Sequence, residues 1–295
     1  MGYAGEPKEA GPVGAFDEFD IAVGAHRHSV LAAGPESGEV VLLLHGWPEF
    51  ADAWTEVLYA LGEAGYRAVA VNQRGYAPGA RPEGAENYTI GHLVSDVFGF
   101  ADALGVDKFH LVARDWGGMV AWVAAGEHPE RLRSLTVFSA PHPAALQHAA
   151  ATDDGQFHDL GYVKFFRHGI GKAEDYLLRE NATQLRAVYD NRIPASLLER
   201  NLERLAEPGV LTATLNWYRG ATNDAFDFPA GRISVPTLYV WGSDDPWLGR
   251  GAAELTVHYI DAEYTFQVVP GASQWLPAEV PDEVIPLLLD HVKQY

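Results

Sequence analysis

The chain has 295 residues, 40 of them acidic against 21 basic, and a formal charge of −19. That length suits one large α/β domain or a domain with an insertion, and so acidic a surface excludes nucleic acid and anionic membranes as partners. With no cysteine there are no disulfides, thiolate metal sites or cysteine nucleophile, and with no signal-type core or membrane-length apolar run the expected compartment is the cytoplasm.

Residues up to about Val13 read as a loose tail rich in Gly, Pro and Glu. Segments 16–23 and 27–33 alternate apolar and polar residues, as the strands of a hairpin do. The continuous apolar run 39–44 implies a strand covered on both faces, which is the habit of a parallel sheet. A helix over 54–64, a strand over 66–71 and a helix over 90–104 follow, the last two elements separated by a long loop and the helix stopped by Gly105. A strand over 108–112, a helix over 119–125 and a strand over 132–138 continue the alternation.

The alternation breaks after Phe138. From 144 to 231 the pattern is helical and aromatic, and strands resume at 235–241 and 264–269 before a last helix at 283–292. The expected architecture is a mostly parallel central sheet flanked by helices, with core segments 1–143 and 232–295 and a helical cap over 144–231.

The most informative stretch is Ala113-Arg114-Asp115-Trp116-Gly117-Gly118, set between a strand and a helix. Small residues two before and two after Asp115 fit a nucleophile elbow, a strained turn that lifts one side chain above the sheet. Here that side chain is a carboxylate. A helix N-terminus keeps it ionised. Attack on a carbonyl gains it little, because it leaves as readily as it adds; attack on a strained or activated saturated carbon leaves a stable alkyl ester. An Asp serving only as an ordinary N-cap is the competing reading.

In an elbow fold the acid and the base come late in the chain. Trp241-Gly242-Ser243-Asp244-Asp245 follows a strand, and the Gly-x-x-Asp spacing selects Asp245, with Asp244 in reserve. The base belongs in Val269-Pro270-Gly271-Ala272-Ser273-Gln274-Trp275, where no histidine occurs and Gln274 stands instead. A glutamine amide holds a water but does not take its proton near neutral pH. His142, His148, His158, His168 and His258 read as packing or surface residues, and their spacing fits no zinc site. His45-Gly46-Trp47-Pro48 follows a buried strand, so the Trp47 and Trp116 N–H groups are candidates to hold an oxygen of Asp115.

Together with Asn72-Gln73-Arg74-Gly75-Tyr76 and Leu215-Asn216-Trp217-Tyr218-Arg219, these motifs resemble the α/β-hydrolase-fold epoxide hydrolases along most of the chain. The resemblance implies an α/β-hydrolase fold, no cofactor, and a small hydrophobic epoxide-like substrate. It implies that Tyr218 and a second cap tyrosine, Tyr162 before Phe165-Phe166, donate to the epoxide oxygen. The chain departs from the family at Ala113-Arg114 for Gly-His, at Asn72 for Asp, and at Gln274 for the base histidine. Hydrolysis of an ester on Asp115 is therefore expected to be slow, or to use a water held by Gln274 and Asp245. A haloalkane dehalogenase, with the Trp116 indole on the leaving halide, and a binding or non-hydrolytic homologue are the alternative readings. The assembly is expected to be a monomer or homodimer.

Overall fold

The computed structural model describes residues 16–152, 160–221 and 228–295. Its strands are β1 (Asp17–Val23), β2 (His26–Ala33), β3 (Val40–Leu44), β4 (Arg67–Val71), β5 (Phe109–Arg114), β6 (Leu132–Phe138), β7 (Thr237–Gly242) and β8 (Tyr264–Val269). They form one sheet in the order β1-β2-β4-β3-β5-β6-β7-β8. The hairpin β1–β2 enters antiparallel, and every pair from β4–β3 to β7–β8 is parallel.

Helices cover both faces, which is why the central strands need no polar side. Along β3, Leu42 and Leu44 pack with α2 (Ile90–Ala103) and α3 (Trp116–Glu127), while Val41 and Leu43 pack with α1 (Thr55–Glu63) and the C-terminal α11 (Pro281–Val292). Successive side chains point to opposite faces, so a strand buried on both must be apolar throughout.

Between β6 and β7 lie α4 (Pro143–Thr152), α5 (Gly161–His168), α6 (Lys172–Val188), α7 (Ala195–Leu205) and α8 (Val210–Gly220). Helix α6 is interrupted: Glu180, Asn181 and Ala182 have φ of 51°, 58° and 57°. The remaining helices are the short α9 (Arg250–Leu255) and α10 (Leu276–Glu279). Among the described residues no helix is long and apolar enough to cross a membrane.

Two expectations shift at the elbow. β5 runs to Arg114 because its pairing with β6 continues as far as Arg114 opposite Phe138, and α3 starts at Trp116, leaving one residue for the turn. The expected tail before Val13 and His158 lie outside the described residues.

Candidate active site

The site gathers at the C-terminal ends of the parallel strands, where open α/β sheets carry their ligands. β3 delivers the His45–Pro48 loop, β5 delivers Asp115, β7 delivers Asp245 and β8 delivers Gln274.

Asp115 has φ 52° and ψ −122°, a left-handed region that disfavours side chains. Close packing around the turn holds it there. A Cβ on Gly117 would lie 2.5 Å from the Leu44 carbonyl oxygen, and one on Gly46 would lie 2.4 Å from the Asp115 Cβ. Those approaches explain the glycine two residues after Asp115 and the one in the facing loop after β3. The Asp115 amide donates to Phe138 O at 3.2 Å, and its carbonyl accepts the first α3 bond from Met119 at 3.0 Å.

The Asp115 carboxylate is fully engaged. Oδ1 accepts the Trp47 amide at 2.8 Å, and Oδ2 accepts the Gln274 side-chain amide at 2.6 Å. The Trp116 amide also bonds it. Burial raises its pKa; the Arg114 guanidinium, then the Trp116 and Trp47 amides and Gln274, work against that rise. The oxyanion candidates Trp47 and Trp116 thus meet at this carboxylate. Trp47 follows β3 and precedes Pro48, through a cis peptide.

Arg114 is the residue whose part sequence reasoning missed. It is 1% exposed, and lies behind Asp115. Its Nε donates to Glu49 Oε2 at 2.8 Å, with Nη2 2.5 Å from the same oxygen. Nη1 donates to the Gln274 carbonyl at 3.4 Å, and the guanidinium lies 4.5 Å from the Trp275 ring centre. A Cβ on Gly46 would lie within 3 Å of both Asp115 Oδ1 and Arg114 Nη2, which shows how near the charge comes. Burial pushes the Glu49 carboxyl up, and Arg114 pulls it back. The signal in the sequence was the departure at Arg114 together with Glu49; their separation of 65 residues hid the pairing.

Asp245 differs from Asp115. Its Oδ1 accepts the Trp247 and Leu248 amides at 2.9 and 3.0 Å. Its Oδ2 is shut off from solvent and has no hydrogen-bond partner among the described residues. Burial raises its pKa to about 7; the two amides oppose this, and Asp115 adds to it. The reserve candidate Asp244 is exposed and 3.7 Å from Arg192.

Both tyrosines lie over the carboxylate. Tyr162 on α5 and Tyr218 on α8 have ring centres 6.0 Å apart, and Tyr218 packs edge-on to Trp116 at 5.0 Å. Burial, and the negative charge of Asp115, hold both phenols well above the ordinary range, so they keep their protons. The neighbours of Tyr218 on α8 fix it: the Trp217 indole donates to Arg74 O at 2.7 Å, while Arg219 bridges to Glu174 at 2.9 and 3.0 Å and to Phe166 O at 3.1 Å. Trp217 grips the sheet side, Arg219 grips the helices, and the phenol between them is held still. The loop after β4 carries Asn72, which accepts the Ala51 amide at 2.8 Å and donates to Ser29 at 3.0 Å.

Asp115, Trp116, Met119, Tyr162, Trp247, Leu248 and Gln274 line a cavity of about 10 Å³, measured for the centre of a water-sized sphere. That is near the least room a water needs. The histidines stay apart. His142 stacks on Tyr259 at 4.7 Å, its pKa lowered to about 4 by burial. His148, His168 and His258 are exposed.

A family model described as the alpha/beta hydrolase fold matches residues 39–277. The chain is 33% identical to the AB hydrolase superfamily protein YfhM of Bacillus subtilis (strain 168), over 90% of this chain and 93% of that one. It is 30% identical to epoxide hydrolase A of Mycobacterium tuberculosis, over 94% and 98%. A Bacillus megaterium epoxide hydrolase, solved with an inhibitor, superposes with a TM-score of 0.85 at 25% identity, over 93% and 100% of the two chains. The sheet, the elbow and this match over most of the sequence define an α/β hydrolase. Within that fold family the chain belongs to the epoxide hydrolases.

Proposed function

We propose that Asp115 opens a small hydrophobic epoxide by direct attack, forming an alkyl-enzyme ester, beneath a cap that spans 144–231. One observation carries this reading: a carboxylate held by the Trp47 amide at Oδ1 and also bonded by the Trp116 amide, near two phenols whose pKa values are raised.

As Oδ2 bonds to the epoxide carbon, the ring C–O bond breaks and its oxygen takes a proton from Tyr162 or Tyr218. A phenol suits this because it donates without bringing a charge into a dry site. Oδ1 becomes the ester carbonyl oxygen, and the Trp47 amide that holds it, with the Trp116 amide beside it, then stabilises the oxyanion of the hydrolytic step. Gln274 steadies Oδ2 with one amide hydrogen and leaves the oxygen a lone pair for attack. Since Gln274 cannot accept a proton, ester hydrolysis is the slow half-reaction. A cavity of about 10 Å³ is too small for an epoxide, so the side chains around it must move apart to admit one.

Intact-protein mass spectrometry after exposure to a panel of epoxides tests the reading. The expected result is an adduct of the epoxide's own mass on Asp115. Halide release from alkyl halides would favour the dehalogenase reading instead, and a ligand bound unchanged with no adduct would favour a binding protein.

A further inference from the structure

The geometry points to Asp245 as the general base of the second half-reaction, acting on water directly with no imidazole between. This rests on the reading of Asp115 as the esterified nucleophile.

A triad acid ordinarily has an imidazole N–H to receive. In this chain Oδ1 of Asp245 is saturated by the Trp247 and Leu248 amides, and Oδ2 faces no donor among the described residues. The residue at the expected histidine position, Gln274, turns its N–H to Asp115 at 2.6 Å. The cavity beside them is bounded by Asp115, Gln274, Trp247 and Leu248, the last two being the residues whose amides hold Asp245. Its size admits about one water. The cavity is lined by Asp115 and by the Trp247 and Leu248 that hold Asp245, so the unpaired acceptor, a single water's space and the ester belong to one cluster, in which Gln274 cannot take a proton.

The step balances without any further reagent. Water oxygen adds to Cγ of the Asp115 ester, and one water proton passes to Asp245 Oδ2. The negative charge rests on Oδ1, held by the Trp47 amide, with the Trp116 amide also bonded to this group. The Cγ–Oδ2 bond then breaks, the leaving alkoxide takes the proton back from Asp245, and a diol departs. The water oxygen stays on Asp115, whose new carboxyl returns its remaining proton to the phenolate left by ring opening, so that both groups regain their starting states.

The charged and titratable groups around Asp245 come from three elements: Asp115 and Arg114 from the elbow, Tyr239 from β7 and Tyr162 from α5. Burial is the largest influence and lifts the carboxyl to about 7, near the optimum for a base working at neutral pH.

The test separates the two half-reactions. The ester is formed with limiting epoxide at about pH 5, where Asp245 is protonated, and its decay is followed by mass after jumps to higher pH. Decay should rise about tenfold per pH unit and level off no higher than about 7, because esterification removes the Asp115 charge that helps raise Asp245. In Asp245→Asn, which keeps the Oδ1 acceptor for both amides, the adduct should form but decay at least about 100-fold more slowly, with no inflection. In Gln274→Ala the rate should change while the midpoint stays. Decay that lacks the inflection, decay unaltered in Asp245→Asn, or an adduct that never decays would each overturn the proposal. If no epoxide yields either adduct or diol, the nucleophile reading itself fails, and this proposal fails with it.

Discussion

The loops after β5 and β7 present the same group in nearly the same way, yet leave it in different states. Each ends a parallel strand in a buried carboxylate with one oxygen held by backbone amides. At Asp115 the second oxygen receives Gln274, and the Arg114 charge stands behind. At Asp245 the second oxygen receives nothing, and the carboxyl rises to about 7. Desolvation acts on both; donors and a nearby cation decide what survives of it. At Asp115 a guanidinium, two amides and Gln274 oppose the rise that burial causes, whereas at Asp245 chiefly two amides do, and that carboxyl reaches about 7.

The sharpest way to break this comparison is to remove the nucleophile. Asp115→Asn keeps the side-chain shape and should abolish adduct formation, a loss of about 10⁴-fold or more measured by mass against epoxide concentration. Next in size is Gln274→His, which supplies the missing donor to Asp245 and a base to water. Ester decay should quicken by about 10²–10⁴-fold, read in the same experiment. Tyr218→Phe tests the phenols and should slow alkylation by about 100-fold, seen in the rate of adduct growth, while leaving the pH profile of ester decay in place.

Arg114→Met attacks the cation behind Asp115. It leaves Glu49 buried without its partner, and should cost about 3–5 kcal/mol of stability by chemical denaturation, with much of that recovered by adding Glu49→Gln. In the double variant the acid limb of alkylation should move to higher pH, because Arg114 is the largest influence lowering the Asp115 pKa.

The smallest effect concerns stability at Asp245. Its folded pKa is raised from 3.8 to about 7, so its contribution is fully present below the unfolded value and is lost as pH rises through about 7. Asp245→Asn carries no charge to bury. It should match the wild type near pH 4 and melt several degrees higher at about pH 8, a gain on the order of 1–4 kcal/mol, measured by scanning calorimetry at the two pH values.

How much of this the sequence discloses depends on the range of the interaction. The run at β3 is legible because burial on both faces writes itself into five consecutive residues. The elbow is legible because its steric demands fall within two residues of Asp115. The choice of Asp245 over Asp244 followed from spacing after a strand, and the two differ in burial accordingly. The Arg114 pairing is illegible, since its partners lie 65 and 160 residues away. So is the unmatched Oδ2, because an unmade hydrogen bond leaves no mark on composition or period. Nor does periodicity foresee the left-handed run inside α6, where the helical apolar pattern continues on either side.

Tyr189, just past α6, donates its hydroxyl to Pro48 O at 2.6 Å and stacks on Trp275 at 4.9 Å. A single phenol thereby clasps the stretch that steadies Oδ1 and the stretch that steadies Oδ2. It is wholly buried, so freeing it would slacken both grips on the attacking group at once.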